Sequence, residues 1–285
     1  MKNPEFDSLL PSIPFDRRGF LVSSLAAGFT LAAGPIMAQT AIATDTQGLN
    51  AGEIKVPTSD GAMPAYRAQP VGAANPPVVL VVHEIFGVHE YIKDTCRRLA
   101  KAGYMAIAPE LYARHGDPSQ LKNVQEAMAL AAKASDAQLM ADLDACMAWS
   151  KANGGADRLG ITGFCRGGRT VWLYAAHQPA LKAGVAWYGQ LDGVTNANTP
   201  RWPLDIAAEL KAPVLGLYGG ADQGIPLSDV EAMREAIARA GGRSQIHVYP
   251  DAGHAFHADY RPSYRKEPAE DGWRRMREWF TAHGV

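Results

Sequence analysis

The chain has 285 residues, of which 47% are hydrophobic and 20% are charged, and its formal net charge is −1. This composition supports one large hydrophobic core and argues against a disordered or low-complexity chain. Without a basic surface, neither nucleic acid nor an anionic membrane is an expected partner. The three cysteines match neither a CxxC redox pair nor a zinc site, so we expect no metal. Cys96 and Cys146 lie in helical patterns and are expected to be buried.

Residues 1–43 resemble an export signal rather than part of a fold. Arg17 and Arg18 form a twin-arginine pattern ahead of an apolar run rich in alanine and glycine. That run is too weakly hydrophobic for a permanent membrane span, so we expect cleavage after Ala38 or Ala43 and no stable membrane insertion of the mature chain. The expected partner is the twin-arginine (Tat) export machinery, and the expected location is periplasmic. An uncleaved membrane anchor is the alternative.

From about residue 50 onward, strand patterns are separated by helical patterns. Segments 53–56 and 64–68 alternate with a period of two on either side of a turn, which predicts an antiparallel hairpin. Later strands are predicted at 77–82, 104–108, 158–162, 183–188, 213–218 and 245–249. Helices are predicted at 91–102, 121–133, 136–152, from 167, 226–240 and 270–282. This alternation predicts an α/β fold, in which a mostly parallel central sheet has helices on both faces.

Cys165 lies between a predicted strand and the helix that starts near Gly167. The segment Gly163-Phe164-Cys165-Arg166-Gly167 has the form of a nucleophile elbow, with cysteine in place of the usual serine. Glycines at its two ends would let the strand and the helix approach closely. The helix N-terminus would stabilise a thiolate and an oxyanion. The alternative is a buried cysteine in a glycine-rich turn.

Two further polar residues follow predicted strands. Asp222 comes after strand 213–218, and His254 comes after strand 245–249. A glycine precedes each of them by one or two residues. The order Cys165, Asp222, His254 is that of the catalytic residues in α/β hydrolases. Ligands in such sheets bind at the carboxyl ends of the strands, where all three are expected. His254 would take the thiol proton, Asp222 would hold the imidazole, and Cys165 would attack a carbonyl carbon.

Four segments together resemble the dienelactone hydrolase (carboxymethylenebutenolidase) family: His-Glu-Ile-Phe-Gly at 83–87, Pro-Glu-Leu-Tyr-Ala-Arg at 109–114, Gly-Phe-Cys-Arg-Gly-Gly at 163–168 and Gly-His-Ala-Phe at 253–256. The resemblance covers a single expected catalytic domain, 50–285. It implies the α/β-hydrolase fold and no cofactor. It also implies hydrolysis of an unsaturated cyclic ester through a thioester on the cysteine.

The same resemblance implies roles for several other residues. Glu84 would lie beside Cys165 and keep the thiol uncharged until substrate displaces the carboxylate. The backbone N–H groups of Ile85 and Arg166 would form the oxyanion hole. Arg114 would bind a substrate carboxylate through its planar guanidinium group.

A second arginine is expected four residues after His254, where this chain has Ala258. Either the nearby Arg261 reaches the site instead, or one anion contact has been lost. Several aromatic residues could line an apolar pocket, although aromatic residues at strand ends often serve only as packing. These candidates are Tyr112, Trp187, Tyr188 and Phe256.

Other activities remain open at this point. A broad-specificity carboxylesterase or an acyltransferase would use the same three residues, and a non-catalytic binding protein could keep the same fold. A thiol redox protein would need a resolving cysteine near Cys165, and the spacing supplies none. The expected partner is therefore a small-molecule ester or lactone, anionic if the arginines face it. The residue pattern does not predict the natural substrate or the oligomeric state.

Overall fold

A computed structural model of the protein describes residues 43–285. Apart from Ala43, the predicted export signal lies outside the described residues. The strands are β1 (Leu49–Thr58), β2 (Gly61–Pro70), β3 (Val78–Val82), β4 (Met105–Pro109), β5 (Leu159–Phe164), β6 (Leu181–Trp187), β7 (Val214–Gly219) and β8 (Gln245–Tyr249). The α-helices are α1 (Glu90–Lys101), α2 (Val124–Ala131), α3 (Asp136–Ala152), α4 (Arg166–His177), α5 (Leu227–Arg239) and α6 (Lys266–Ala282). Over this range, no helix has the length and apolar character needed to cross a membrane.

All eight strands belong to one sheet, in the order β1-β2-β4-β3-β5-β6-β7-β8. The hairpin of β1 and β2 is antiparallel, and β2 is antiparallel to β4. Every other neighbouring pair is parallel. The prediction of a mostly parallel sheet in an α/β-hydrolase fold is confirmed.

The central strands are buried on both faces of the sheet. Every residue of β3, β4, β5 and β7 is buried, so side chains that point to opposite faces are equally shielded from water. Helices provide this cover: α1 packs on β2 and β4, α4 packs on β5 and β6, and α6 packs on β6 and β7. The continuous apolar runs in the sequence are typical of strands covered in this way.

Two helices begin more than two residues away from their predicted starts. Helix α6 begins at Lys266, four residues before the predicted start. Helix α2 begins later than predicted, because Asn123 caps it: Oδ1 of Asn123 accepts from the Glu126 backbone N–H at 2.8 Å. In return, Oε2 of Glu126 accepts from the Lys122 backbone N–H at 2.8 Å, which fixes the turn before the helix.

One edge of the sheet collects most of the candidate functional residues. The parallel strands β3, β5, β6, β7 and β8 all have their carboxyl ends at this edge. The residues that follow them are Glu84, Cys165, Tyr188, Asp222 and His254. Five segments that are far apart in sequence therefore meet at one edge, where α/β sheets bind their ligands.

Candidate active site

Cys165 occupies a strained turn between β5 and α4. Its backbone has φ 54° and ψ −118°, a conformation that L-residues rarely adopt. A Cβ atom on Gly163 would lie 2.4 Å from the Gly167 carbonyl oxygen, and one on Gly167 would lie 2.3 Å from the Val82 carbonyl oxygen. Only glycine fits at both positions, which explains the Gly-x-Cys-x-Gly pattern. The turn presents the thiol at the start of a helix.

Strained backbone is concentrated around this site. Among residues 43–285, four residues other than glycine have positive φ, and three of them are Cys165, Tyr188 (φ 38°) and Ala255 (φ 58°). Tyr188 follows β6, and Ala255 directly follows His254. Each such conformation costs on the order of 1 to 3 kcal/mol and persists where the surrounding structure enforces it. Their concentration at one edge of the sheet marks it as a functional site.

Asp222 and His254 form a buried pair. Oδ2 of Asp222 lies 2.8 Å from Nδ1 of His254, and both side chains are almost completely shielded from solvent. The Gly224 backbone N–H donates to Oδ1 of Asp222 at 2.8 Å, which holds the carboxylate in place. Burial disfavours a charged imidazole, but Cys165 and Asp222 outweigh it and raise the pKa of His254 well above its usual value. This imidazole is therefore suited to hold a proton taken from Cys165.

The first turn of α4 supplies backbone donors beside the thiol. Arg166 is the first residue of α4, so its N–H has no acceptor within the helix. Ile85, which follows β3, lines the same cavity as Cys165 and Arg166. The positive end of the α4 dipole and these N–H groups favour negative charge at this point.

Glu84 is buried beside the site and is ionised. Its Oε2 accepts a hydrogen bond from the Tyr260 hydroxyl at 2.7 Å and lies 3.2 Å from Nε2 of His89. Burial alone would raise the pKa of this carboxyl group, but the Arg261 charge and the contacts with His89 and Tyr260 lower it to about 2. Glu84 lines the same cavity as Cys165, as the expected arrangement requires.

Arg261 lines the same cavity as Cys165 and lies beside Glu84. Its Nε lies 3.9 Å from Oε1 of Glu84 and donates to the Tyr260 hydroxyl at 2.9 Å. The guanidinium carbon stacks 5.0 Å from the centre of the Phe86 ring. Its Nη2 is buried and has no hydrogen-bond partner within the described part of the chain. A charged donor is therefore available to a ligand anion.

These groups surround a cavity of about 120 Å³. Cys165, His254, Glu84 and Arg261 line it together with Ile85, Phe86, Met128, Arg166, Arg169 and Gln190. The charge of Arg169 is already neutralised, since its Nη1 and Nη2 donate to Asp136 at 2.7 and 2.8 Å. No sequence pattern predicted a role for His89, Arg169, Gln190 or Tyr260. Tyr260 is adjacent to Arg261 in the chain, but no local pattern marks it.

The structure does not bring Arg114 to this cavity. Its Nε lies 2.5 Å from Oδ2 of Asp60, and its Nη1 lies 2.7 Å from Oδ2 of Asp142. Arg114 instead lines a separate depression near the turn between β1 and β2. Because two carboxylates of the protein already occupy its donors, this position does not fit the expected contact with a substrate carboxylate.

The candidate aromatic residues are buried. Tyr112, Trp187, Tyr188 and Phe256 are each at most 2% exposed. The Tyr188 ring makes an edge contact with the His254 ring at 5.1 Å, and the Phe256 ring contacts Tyr188 at 5.3 Å. The Tyr112 ring makes an edge contact with His83 at 4.7 Å. None of these four aromatic rings is among the residues that line the cavity, and Tyr188 packs directly against His254.

The other two cysteines do not line this cavity. Cys96 in α1 and Cys146 in α3 are 0% exposed, and none of the three cysteines forms a disulfide within residues 43–285. Burial raises the pKa of both thiols well above the usual value. Both are therefore inert packing residues.

Comparison with known proteins identifies the family. A model of the dienelactone hydrolase family matches residues 63–284. A protein named "Putative carboxymethylenebutenolidase" from Methylorubrum extorquens is 60% identical over 281 residues, which cover 98% of this chain and 97% of that protein. A protein named "Probable 2-oxo-3-(5-oxofuran-2-ylidene)propanoate lactonase" from a Bradyrhizobium species is 34% identical over 212 residues, which cover 73% of this chain and 85% of that protein.

A solved structure agrees with this comparison. The crystal structure titled "Putative Dienelactone Hydrolase" from Klebsiella pneumoniae has a TM-score of 0.81 and 55% sequence identity. It covers 82% of this chain, and this chain covers 98% of it. The chain is an enzyme of the dienelactone hydrolase family.

Proposed function

We propose that the protein hydrolyses lactones or other carboxylic esters through a thioester on Cys165. The observation that carries this proposal is the placement of Cys165 at the start of α4, in one cavity with a histidine that is paired with a buried aspartate. A nucleophile, a base and a group that orients the base are the parts that acyl transfer requires.

The reaction would proceed in two halves. His254 takes the proton of Cys165, and the thiolate attacks the carbonyl carbon of the ester. The resulting oxyanion accepts hydrogen bonds from the backbone N–H groups of Ile85 and Arg166. The bond from carbon to the ester oxygen then breaks, and this oxygen takes the proton from His254. In a lactone, the alcohol formed stays attached to the acyl chain.

Water completes the cycle. It attacks the thioester carbonyl while His254 accepts one of its protons. The carbon–sulfur bond breaks, the carboxylic acid leaves, and the proton returns from His254 to the Cys165 sulfur. Asp222 stabilises the imidazolium that forms in each half, because its carboxylate lies 2.8 Å from the imidazole Nδ1.

Arg261 supports an anionic substrate. Its buried Nη2 has no hydrogen-bond partner among the described residues, and a carboxylate would satisfy it in a charge-assisted hydrogen bond. The name of the Bradyrhizobium relative describes a carboxylate-bearing unsaturated lactone, which is a substrate of this kind. We therefore propose that Arg261 binds the substrate carboxylate in place of an arginine at position 258.

Substitution of the three catalytic residues tests the proposal. We expect Cys165→Ala to abolish hydrolysis of an unsaturated lactone, and His254→Ala and Asp222→Asn to lower kcat by on the order of a thousandfold with little change in KM. Cys146→Ala is the matched control, since this cysteine is also buried but lies outside the cavity. Full activity in Cys165→Ala would overturn the covalent mechanism.

We also propose export by the twin-arginine pathway to the periplasm. Arg17 and Arg18 carry this proposal and lie outside the residues that the structure describes. The test is fractionation of bacteria that express the full chain. Arg17→Lys together with Arg18→Lys should keep the protein in the cytoplasm, whereas equal export of this variant would contradict the proposal.

A further inference from the structure

A second and larger cavity lies next to the catalytic one. Its volume is about 860 Å³, and Phe86 lines both cavities. The catalytic cavity is below the range of about 300 to 1,000 Å³ that is usual for ligand sites, whereas the second cavity lies within it. The small cavity therefore suits an acyl group, and most of a larger substrate would have to lie elsewhere.

His89 gives the large cavity an unsatisfied polar group. The residue lines this cavity and is 8% exposed, and its Nε2 lies 3.2 Å from the ionised Glu84 carboxylate. Its Nδ1 is buried and finds no hydrogen-bond partner among residues 43–285. Nδ1 requires a donor if the imidazole is neutral and an acceptor if it is charged. A hydroxyl group can supply either.

Glu110 provides a second such group. Its Oε2 accepts from the Val88 backbone N–H at 2.6 Å, but its Oε1 is buried and makes no hydrogen bond within the described chain. Nε2 of His83 lies 3.5 Å away, but it already accepts from the Leu111 backbone N–H at 3.2 Å. The proton of His83 lies on Nδ1, which donates to the Glu84 carbonyl at 2.6 Å, and burial lowers the pKa of this imidazole. Oε1 of Glu110 therefore lacks a donor.

The rest of the lining combines apolar and polar side chains. Phe86, Val88, Leu121 and Val124 contribute apolar side chains to the same cavity, and the polar side chains are those of Glu90, Lys93, Asp117, Ser119 and Asn123. Apolar surface together with a few polar groups that orient the ligand is typical of a small-molecule site. The ligand that fits is a carbon skeleton that carries several hydroxyl groups.

We propose that the large cavity binds the alcohol portion of an ester substrate, and that this alcohol is a polyol. The inference rests on the proposed ester hydrolysis at Cys165. The acyl group lies in the catalytic cavity, while the alcohol passes Phe86 and presents hydroxyl groups to His89 and Glu110. After attack by the thiolate, the polyol leaves with the proton from His254 and the acyl group remains on sulfur, as in the steps above.

Three acetate esters test this inference, because they share one acyl group. They are methyl acetate, hexyl acetate and sorbitol monoacetate, and the last two have alcohols of six carbons. We expect kcat/KM for sorbitol monoacetate to exceed that for hexyl acetate by at least about fivefold, since two additional hydrogen bonds form. Equal values, or a preference for hexyl acetate, would overturn the inference while leaving ester hydrolysis intact.

A variant that fills the cavity provides the second arm. Leu121 is half-buried and lines the large cavity but not the catalytic one, so Leu121→Trp should reduce the space for the alcohol. We expect the ratio of kcat/KM for sorbitol monoacetate over methyl acetate to fall at least about tenfold. Val194→Trp is the matched control at a residue that is 86% exposed, and it should leave the ratio unchanged. An unchanged ratio in Leu121→Trp would overturn the inference. If the native enzyme hydrolysed none of the three acetate esters, the proposed function would be overturned as well.

Discussion

The Tyr260 hydroxyl donates to Oε2 of Glu84 over 2.7 Å, although 176 residues separate the two in the chain. The same hydroxyl oxygen accepts from Nε of Arg261 at 2.9 Å. One tyrosine thus connects the Glu84 carboxylate with the Arg261 cation, and both of these charged groups line the same cavity as Cys165. Glu84 and Arg261 are therefore expected to act as a unit.

Removal of this hydroxyl tests the connection. Tyr260→Phe keeps the ring that stacks on Arg261 but loses both hydrogen bonds. Because Arg261 is then less well held, we expect kcat/KM for an anionic lactone to fall about tenfold, and that for a neutral ester to fall much less. The measurement compares the two substrates on one enzyme preparation. Equal losses for both would show that Tyr260 does not position the anion site.

Arg261 itself should determine charge preference. Arg261→Gln removes the buried cation, so we expect kcat/KM for the anionic lactone to fall about a hundredfold, mainly through KM. Arg114→Gln is the matched control, because Arg114 is paired with Asp60 and Asp142 away from the cavity. This control should lower the melting temperature with little effect on KM. A larger KM effect in Arg114→Gln than in Arg261→Gln would contradict the assignment.

The positions of some residues in the site could be predicted from the sequence, and those of others could not. The elbow around Cys165 is a local pattern. A Cβ atom at either of its glycines would lie 2.3 to 2.4 Å from a backbone carbonyl oxygen a few residues away or in the neighbouring strand, so only glycine fits there. The placement of Asp222 and His254 near Cys165 could also be predicted from the sequence, because each follows an apolar strand and parallel strands end at one edge of a sheet. These features, and with them the fold, could be predicted from the hydrophobic periodicity and from the glycines that follow the strands.

Other features depend on side-chain direction and distant contacts. The direction of Arg114 is set by Asp60 and by Asp142, neither of which any motif links to it. The roles of His89 and Tyr260 come from contacts with Glu84 between segments that become neighbours only in the folded chain. Spacing cannot predict such contacts, because they require the final packing of loops beyond the strand ends.

Glu84 should oppose ionisation of the Cys165 thiol. The Glu84 carboxylate has a pKa of about 2, so it is negative at neutral pH, and a thiolate in the same cavity would experience like-charge repulsion. We therefore expect Glu84→Gln to lower the apparent pKa of the thiol, while turnover of an anionic lactone falls because Arg261 loses a partner. The measurement is the pH dependence of alkylation by iodoacetamide, with turnover measured in parallel. Unchanged alkylation and unchanged turnover would mean that Glu84 has no role in the reaction.

Acid should destabilise the fold through His257. This imidazole is buried near Tyr91, whose hydroxyl lies 2.5 Å from its Nδ1, and burial lowers its pKa from 6.5 to about 3. The unfolded state therefore binds a proton below about pH 6.5 that the folded state does not bind, so stability falls as the pH drops from there towards about 3.

A variant isolates this contribution. We expect the native enzyme to lose about 1.4 kcal/mol of unfolding free energy per pH unit through this group. His257→Phe keeps an aromatic ring among Phe164, Trp187 and Trp273 but cannot titrate. Urea unfolding at several pH values between about 4 and 6.5 should give a shallower slope for the variant. Parallel slopes for the two proteins would contradict a neutral, buried His257.

The most direct test of the account is the mass of the enzyme during turnover. An activated ester such as p-nitrophenyl acetate is mixed with the enzyme, the reaction is quenched in acid, and the intact protein and its peptides are weighed. We expect one acetyl group per chain on the peptide that contains Cys165, and none on the peptides that contain Cys96 or Cys146. Acetyl groups on another residue, or rapid hydrolysis by Cys165→Ala, would contradict a thioester mechanism at this site.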